Sequence, residues 1–150
     1  MKNVFLALLV FVAAAAFGQV SSFVDVDEIT DEVTTFIVIE SNDKSAHMVV
    51  SETNGEFMSF IYTVYDYLGS GNDECIIRFD DGEIEHYEVV SLSNGEGKAF
   101  YDGDTILLIE SLGQAEQLVI RVYDYNNISK TYVFEVAGFT AEFKKYYGLK

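Results

Sequence analysis

Among the 150 residues there is no proline and no tryptophan, one cysteine, and two histidines. Without proline, every tight turn has to be made by Gly, Asn or Asp, and strand edges must be protected by charge. A single cysteine, Cys75, excludes an intrachain disulfide and a cysteine-cluster zinc site. His47 and His86 leave little imidazole for acid–base or metal chemistry. Positive charge is also scarce: 9 Lys and Arg stand against 25 Asp and Glu, for a formal charge of −16 and a pI near 4.2. A phosphate backbone is bound through lysine and arginine, so nucleic acid is excluded as a partner. No Gly-x-Ser-x-Gly elbow, phosphate-cradling GxxxxGK[ST] or G-x-G-x-x-G motif occurs, and Gly95-Glu96-Gly97 reads as a turn.

What the chain has is apolar material, 49% of its residues, enough to build the core of one domain. The first stretch, MKNVFLALLVFVAAAAFG, sets Lys2 ahead of an apolar run from Val4 to Phe17 and ends in Ala16-Phe17-Gly18. This is the layout of a secretory signal peptide over 1–18, cut between Gly18 and Gln19. As a helix the run spans about 21 Å, short of the roughly 30 Å hydrocarbon core. The expectation is a secreted or periplasmic protein with no stable membrane insertion after cleavage. No cysteine follows the run, which excludes a lipid-modified N-terminus. In an oxidising compartment Cys75 reads as a small buried hydrophobe, with an intermolecular disulfide as the other reading.

Residues 19–33 carry Asp25, Asp27, Glu28, Asp31 and Glu32 and read as an acidic leader or a weak edge strand. From residue 34 onward β-branched and aromatic runs recur at 34–40, 46–52, 56–68, 74–79, 84–92, 117–125 and 130–136. They are separated by turn signals such as Thr53-Asn54-Gly55, Gly69-Ser70-Gly71-Asn72-Asp73, Asp80-Asp81-Gly82 and Asn94-Gly95. Seven short strands at this spacing predict a single all-β domain over 34–150, an antiparallel β-sandwich. Alternation assigns Cys75, Ile77 and Phe79 inward against Ile76, Arg78 and Asp80. It sets Leu118, Ile120 and Val122 against Val119, Arg121 and Tyr123, and Tyr132, Phe134 and Val136 against Thr131, Val133 and Glu135. Helical spacing predicts capping helices at 104–112, behind Asp104, and at 139–147, capped by Thr140 with Lys144 and Lys145 near its end.

The succession Ile77-Arg78-Phe79-Asp80-Asp81-Gly82, Lys98-Ala99-Phe100-Tyr101, the run 106–112, Gln117 to Tyr125 and Val133 to Ala141 resembles a known arrangement. It is similar to the C-terminal half of exported accessory β domains associated with type VI secretion and of invasion-associated-locus-B-like proteins. The resemblance covers roughly 75–145. It implies a β-sandwich without established catalytic residues. Those proteins usually carry a cysteine pair and a tryptophan, which this chain lacks, and no functional residue is carried over.

Candidate chemistry rests on few side chains. Arg78 and Arg121 are strand-centred in a chain poor in cations, each followed by an acid, Asp80 and Asp124. Guanidinium bridges carboxylates bidentately and lies on rings such as Tyr87 or Tyr123. Two readings follow, a structural ion-pair cluster on adjacent or facing strands and a site for an anionic partner. His86 and Glu88 share a strand face and could hold a metal or simply face water. Calcium is the other acidic hypothesis, with Asp80, Asp81, Asp102 and Asp104 as loop ligands, although the same residues serve ordinary turns. Ten tyrosines suit a protein or carbohydrate surface, and strands generally. The expected function is a non-catalytic binding or accessory module with no resident cofactor, against a small secreted hydrolase using a carboxylate pair.

Overall fold

In the computed structural model, residues 19–70 and 73–148 are described. The expected signal peptide at 1–18, Gly71 and Asn72 of the expected turn, and the last two residues lie outside them. The chain runs β1 Val20–Val26, β2 Val33–Glu40, β3 Ala46–Thr53, β4 Glu56–Thr63, β5 Glu74–Phe79, β6 Glu85–Ser91, β7 Gly97–Phe100, α1 Asp102–Leu112, β8 Gln117–Tyr123, β9 Ser129–Glu135 and α2 Phe139–Tyr147. Asn54 and Gly55, with φ of 55° and 87°, make the two-residue turn between β3 and β4 that positive backbone angles favour.

The strands form one antiparallel sheet in the order β1-β2-β3-β4-β7-β6-β5-β8-β9. This corrects the expectation of seven strands in two separate layers. The sheet curls on itself: Ser41, just past β2, bridges Phe134 of β9, and the Asn42 N–H donates to the Val133 carbonyl at 2.8 Å. Two strands are additional. β1 forms inside the acidic 19–33 stretch and pairs with β2 from Val20↔Ile39 to Val26↔Val33. β7 is four residues long and joins β4 to β6. The run 56–68 leaves the sheet after Thr63, whose hydroxyl turns back to the Glu96 carbonyl at 2.9 Å.

The core lies within the curl. Cys75, Ile77, Leu118, Ile120 and Val122 are fully buried from one side, and Ile39, Met48 and Ile61 from the other. Each such aliphatic side chain contributes about 1.5–3 kcal/mol by leaving water. The face expected inward for β5 is the one observed, and the faces set apart in β8 and β9 divide as expected, with Leu118, Ile120, Val122, Tyr132, Phe134 and Val136 buried and Val133 half-buried. α1 starts two residues before its expected first residue, with Tyr101 at the N-cap position and no side-chain cap, so Asp104 is not the cap. The Thr105 hydroxyl instead meets that of Ser59 at 2.7 Å beneath the helix. α2 matches its expected bounds and buries Phe139. Thr140 does not cap it; its hydroxyl donates to the Gly113 carbonyl at 2.9 Å and ties α2 to the end of α1. Among the described residues no helix is long and apolar enough to cross a membrane.

Candidate functional site: an arginine-flanked groove

Strand register builds this site. β5 and β8 pair with Ile76 opposite Arg121 and Arg78 opposite Val119. Because Cys75 and Ile77 point into the core, Ile76 and Arg78 point out, and the two arginines become diagonal neighbours on the outer face. Diagonal neighbours stand roughly 7–8 Å apart, close enough for their charges to repel. Around them Ile76, Ile77, Ile84, Val119 and Thr131 line a groove of about 150 Å³. The Arg121 Nε–H donates to the Thr131 hydroxyl at 3.2 Å.

Among the described residues neither guanidinium lies within ion-pairing distance of a carboxylate. Three lysines differ: Lys130 meets Asp66 at 3.0 Å, Lys145 meets Glu142 at 2.6 Å and Lys98 lies 3.9 Å from Asp73, while Lys44 and Lys144, like the arginines, form no ion pair among the described residues. The expected pairing of Arg78 and Arg121 with Asp80 and Asp124 does not form. Both acids turn instead to backbone donors. Asp80, at φ 48°, accepts the N–H groups of Glu116 and Gln117 at 3.0 and 2.8 Å, fastening the end of β5 to the start of β8. Asp124 is buried and accepts from Asn126 and Ile128, both at 2.9 Å, closing the β8–β9 turn. A short side chain at a turn finds its own backbone sooner than it finds a side chain on the neighbouring strand.

The tyrosines separate. Tyr87 stands opposite Cys75 and so turns away from the arginine face; its ring meets Phe100 edge-on at 6.0 Å and its hydroxyl donates to Glu85. Burial and that carboxylate push its pKa upward. Tyr123 shares the outer face with Arg121 and is half-buried. Of the calcium candidates, Asp80 is engaged as described, Asp81 is exposed in the following turn, and Asp102 and Asp104 lie in the first turn of α1. Among the described residues no three His, Cys, Asp or Glu side chains gather as a metal site.

A second concavity of about 540 Å³ lies beside β6, lined by Asp73, Glu74, His86, Tyr87, Glu88, Val89 and Tyr101. There His86 Nδ1 sits 2.7 Å from Glu74 Oε1, so its close carboxylate comes across the strand pair. Sequence reasoning did not pair Glu74 with His86, and only the β5–β6 register would have supplied that pairing. It also passed over Lys98, whose side chain is fully buried yet hydrogen-bonds the Ser91 hydroxyl at 2.7 Å and the Gly69 carbonyl at 3.3 Å. Burial lowers its pKa.

No protein-family profile matches this sequence, and no curated protein does. Among solved structures the chain is similar to the crystal structure of invasion-associated protein B from Bartonella henselae, with a TM-score of 0.57 over 85% of this chain and 91% of that one. The likeness extends well beyond the 75–145 stretch that carries the sequence resemblance. At 11% identity, what the two proteins share is the fold.

Proposed function

We propose that this chain is an exported, non-catalytic binding or accessory module whose outer β5–β8 face takes an acidic segment of a partner protein. The observation that carries this reading is the pair of arginines that, among the described residues, have no carboxylate within ion-pairing distance in a chain of 25 acids. Two like charges held side by side on a strand face are relieved by an incoming anion, and guanidinium engages carboxylate bidentately. The aliphatic floor between them favours a peptide that carries an apolar side chain beside its acids over a purely polar glycan. Export is supported by the N-terminal layout. β1 begins at Val20, so a cut before Gln19 leaves every strand of the described residues intact.

The test is fluorescence anisotropy with a labelled peptide of alternating Glu and Ile, and in parallel with a sulfated heparin fragment. The reading expects the peptide to bind and the Arg78→Glu/Arg121→Glu double variant to weaken it at least tenfold. Peptide binding unchanged in the double variant would overturn it. So would arginine-dependent binding of the heparin fragment alone, or no binding of either probe.

A further inference from the structure

We propose that the groove accepts the β1–β2 hairpin of a second copy of this chain, a head-to-tail self-association that rests on the acid-binding reading of the arginine face. The tip of that hairpin is built to protrude. The Asp27 carboxylate accepts the N–H groups of Ile29 and Thr30 at 2.8 and 3.1 Å, and the Asp27 N–H donates to the Glu32 carbonyl at 2.9 Å. Asn54 braces the tip from the next hairpin by donating to Glu32 at 3.0 Å. On this ordered turn Ile29 is 93% exposed, more than any other large apolar residue described.

Behind Ile29, Val26 and Val33 form a cross-strand pair that is half in water. Glu28 and Asp31 flank the isoleucine, and neither forms an ion pair among the described residues. An apolar cavity of about 150 Å³ accommodates benzene. The groove between Arg78 and Arg121 has that volume and thus room for one branched aliphatic side chain. One isoleucine between two carboxylates faces one apolar groove between two guanidiniums, so shape and charge correspond.

The hairpin cannot reach the groove of its own chain. β2 runs from Val33 at the hairpin to Glu40 beside β9, which sets the tip about 25 Å of strand away from the β9 side of the sheet. Each copy therefore offers one hairpin and one groove to different neighbours. That is a heterologous contact, which closes into a ring or extends as a chain.

Sedimentation equilibrium from micromolar to millimolar protein tests this. The wild type is expected to exceed the monomer mass as concentration rises. Ile29→Asp and the Arg78→Glu/Arg121→Glu double variant, each checked for native near-ultraviolet circular dichroism, are expected to need at least tenfold more protein to do so. Mixed together, the two variants should form a one-to-one complex, because one retains the groove and the other the hairpin. A wild type that stays monomeric throughout, an Ile29→Asp variant that associates as the wild type does, or a mixture that stays apart would each overturn the proposal. Peptide binding separates its failure from that of the underlying reading. If the Glu/Ile peptide still binds through the arginines while the wild type stays monomeric, only the self-docking falls.

Discussion

Replacing Lys98 with methionine keeps the apolar stem in place and removes only the ammonium. Two opposing quantities then decide stability. The ammonium donates to Ser91 and the Gly69 carbonyl, and hydrogen bonds from a charged donor contribute about 1.5–3 kcal/mol each. Against this, taking an ammonium out of water costs several kcal/mol, and the lowered pKa shows that desolvation outweighs the attraction of Asp73. The two nearly cancel, so Lys98→Met is expected to cost no more than about 2 kcal/mol. Lys98→Ala removes three further methylene-sized groups, about 2–2.5 kcal/mol of transfer free energy, and leaves a cavity besides. Urea titrations at neutral pH should therefore separate the two variants by at least about 2 kcal/mol. Equal losses would refute the reasoning, because the ammonium and not its stem would then hold the site. The pH dependence gives an independent check. A lysine whose folded pKa is depressed gains stability as pH rises from that folded value to the ordinary 10.5, since there the unfolded chain binds the extra proton. Lys98→Met should lack this increment, so the stability difference between wild type and variant should shift in favour of wild type through that window.

Asp66 accepts from the Tyr132 hydroxyl at 2.7 Å and pairs with Lys130; the tyrosine hydrogen bond first, and then Lys130, hold its carboxyl below the ordinary 3.8. Its stabilisation is present above 3.8 and lost as pH falls through the folded value. Tyr132→Phe should flatten acid unfolding curves and cost about 1.5–3 kcal/mol at neutral pH; an unchanged acid limb would count against the pairing. Cys75 is fully buried, and burial pushes its thiol pKa up, so Ellman's reagent should leave it unmodified in the native protein and react fully in guanidinium chloride. Stoichiometric native labelling would contradict that placement. His47 lies 3.8 Å from Glu40, and burial lowers its pKa below 6.5 despite that carboxylate. Stability should decline as pH falls from 6.5 through the folded value, and an NMR titration midpoint at or above 6.5 would refute this.

Much of the sheet was legible because β5 and β8 each set a single arginine among aliphatic residues, which separates Ile77 from Arg78 and Ile120 from Arg121, while β9, with apolar Val133 among its outward residues, alternates more weakly. The strand that the pattern missed, β7, and the one it left open between leader and edge strand, β1, break the alternation in physical ways. β7 turns Lys98 inward with Phe100, and a lysine at a core position erases the pattern of a four-residue strand. β1 leaves Val24 and Val26 exposed and its one acid, Asp25, half-buried, so it shows no inward apolar alternation; its pairing with β2 and the hydrogen bonds from Ser22 to Glu142 and Tyr146 of α2 hold it. The run 56–68 misled in the other direction. Its apolar continuation through Val64 and Tyr65 stands exposed on a loop, since β-propensity expresses fit to a half-buried surface. At the candidate site, alternation correctly put both arginines on the outer face. Their partners were not legible, because an ion pair depends on what the register brings across the strand, and there Asp80 and Asp124 had backbone donors closer at hand.

The curl of the sheet has a consequence for the chain as it is made. β1 to β4 form a local meander complete by Thr63, yet the side that bears Ile37, Ile39, Met48 and Ile61 shares its core with α1, β8 and β9. Cys75 must wait for Val122, and the seam at Ser41 must wait for Phe134. A nascent chain therefore lacks the cover for this apolar face until its final strands emerge, and an uncovered apolar surface is the kind that aggregates at cellular concentrations. Shortened forms ending before β9 will gather into inclusion bodies rather than persist as smaller folded units, and a chain held unfolded until all of it is on one side of a membrane would bypass that sticky interval.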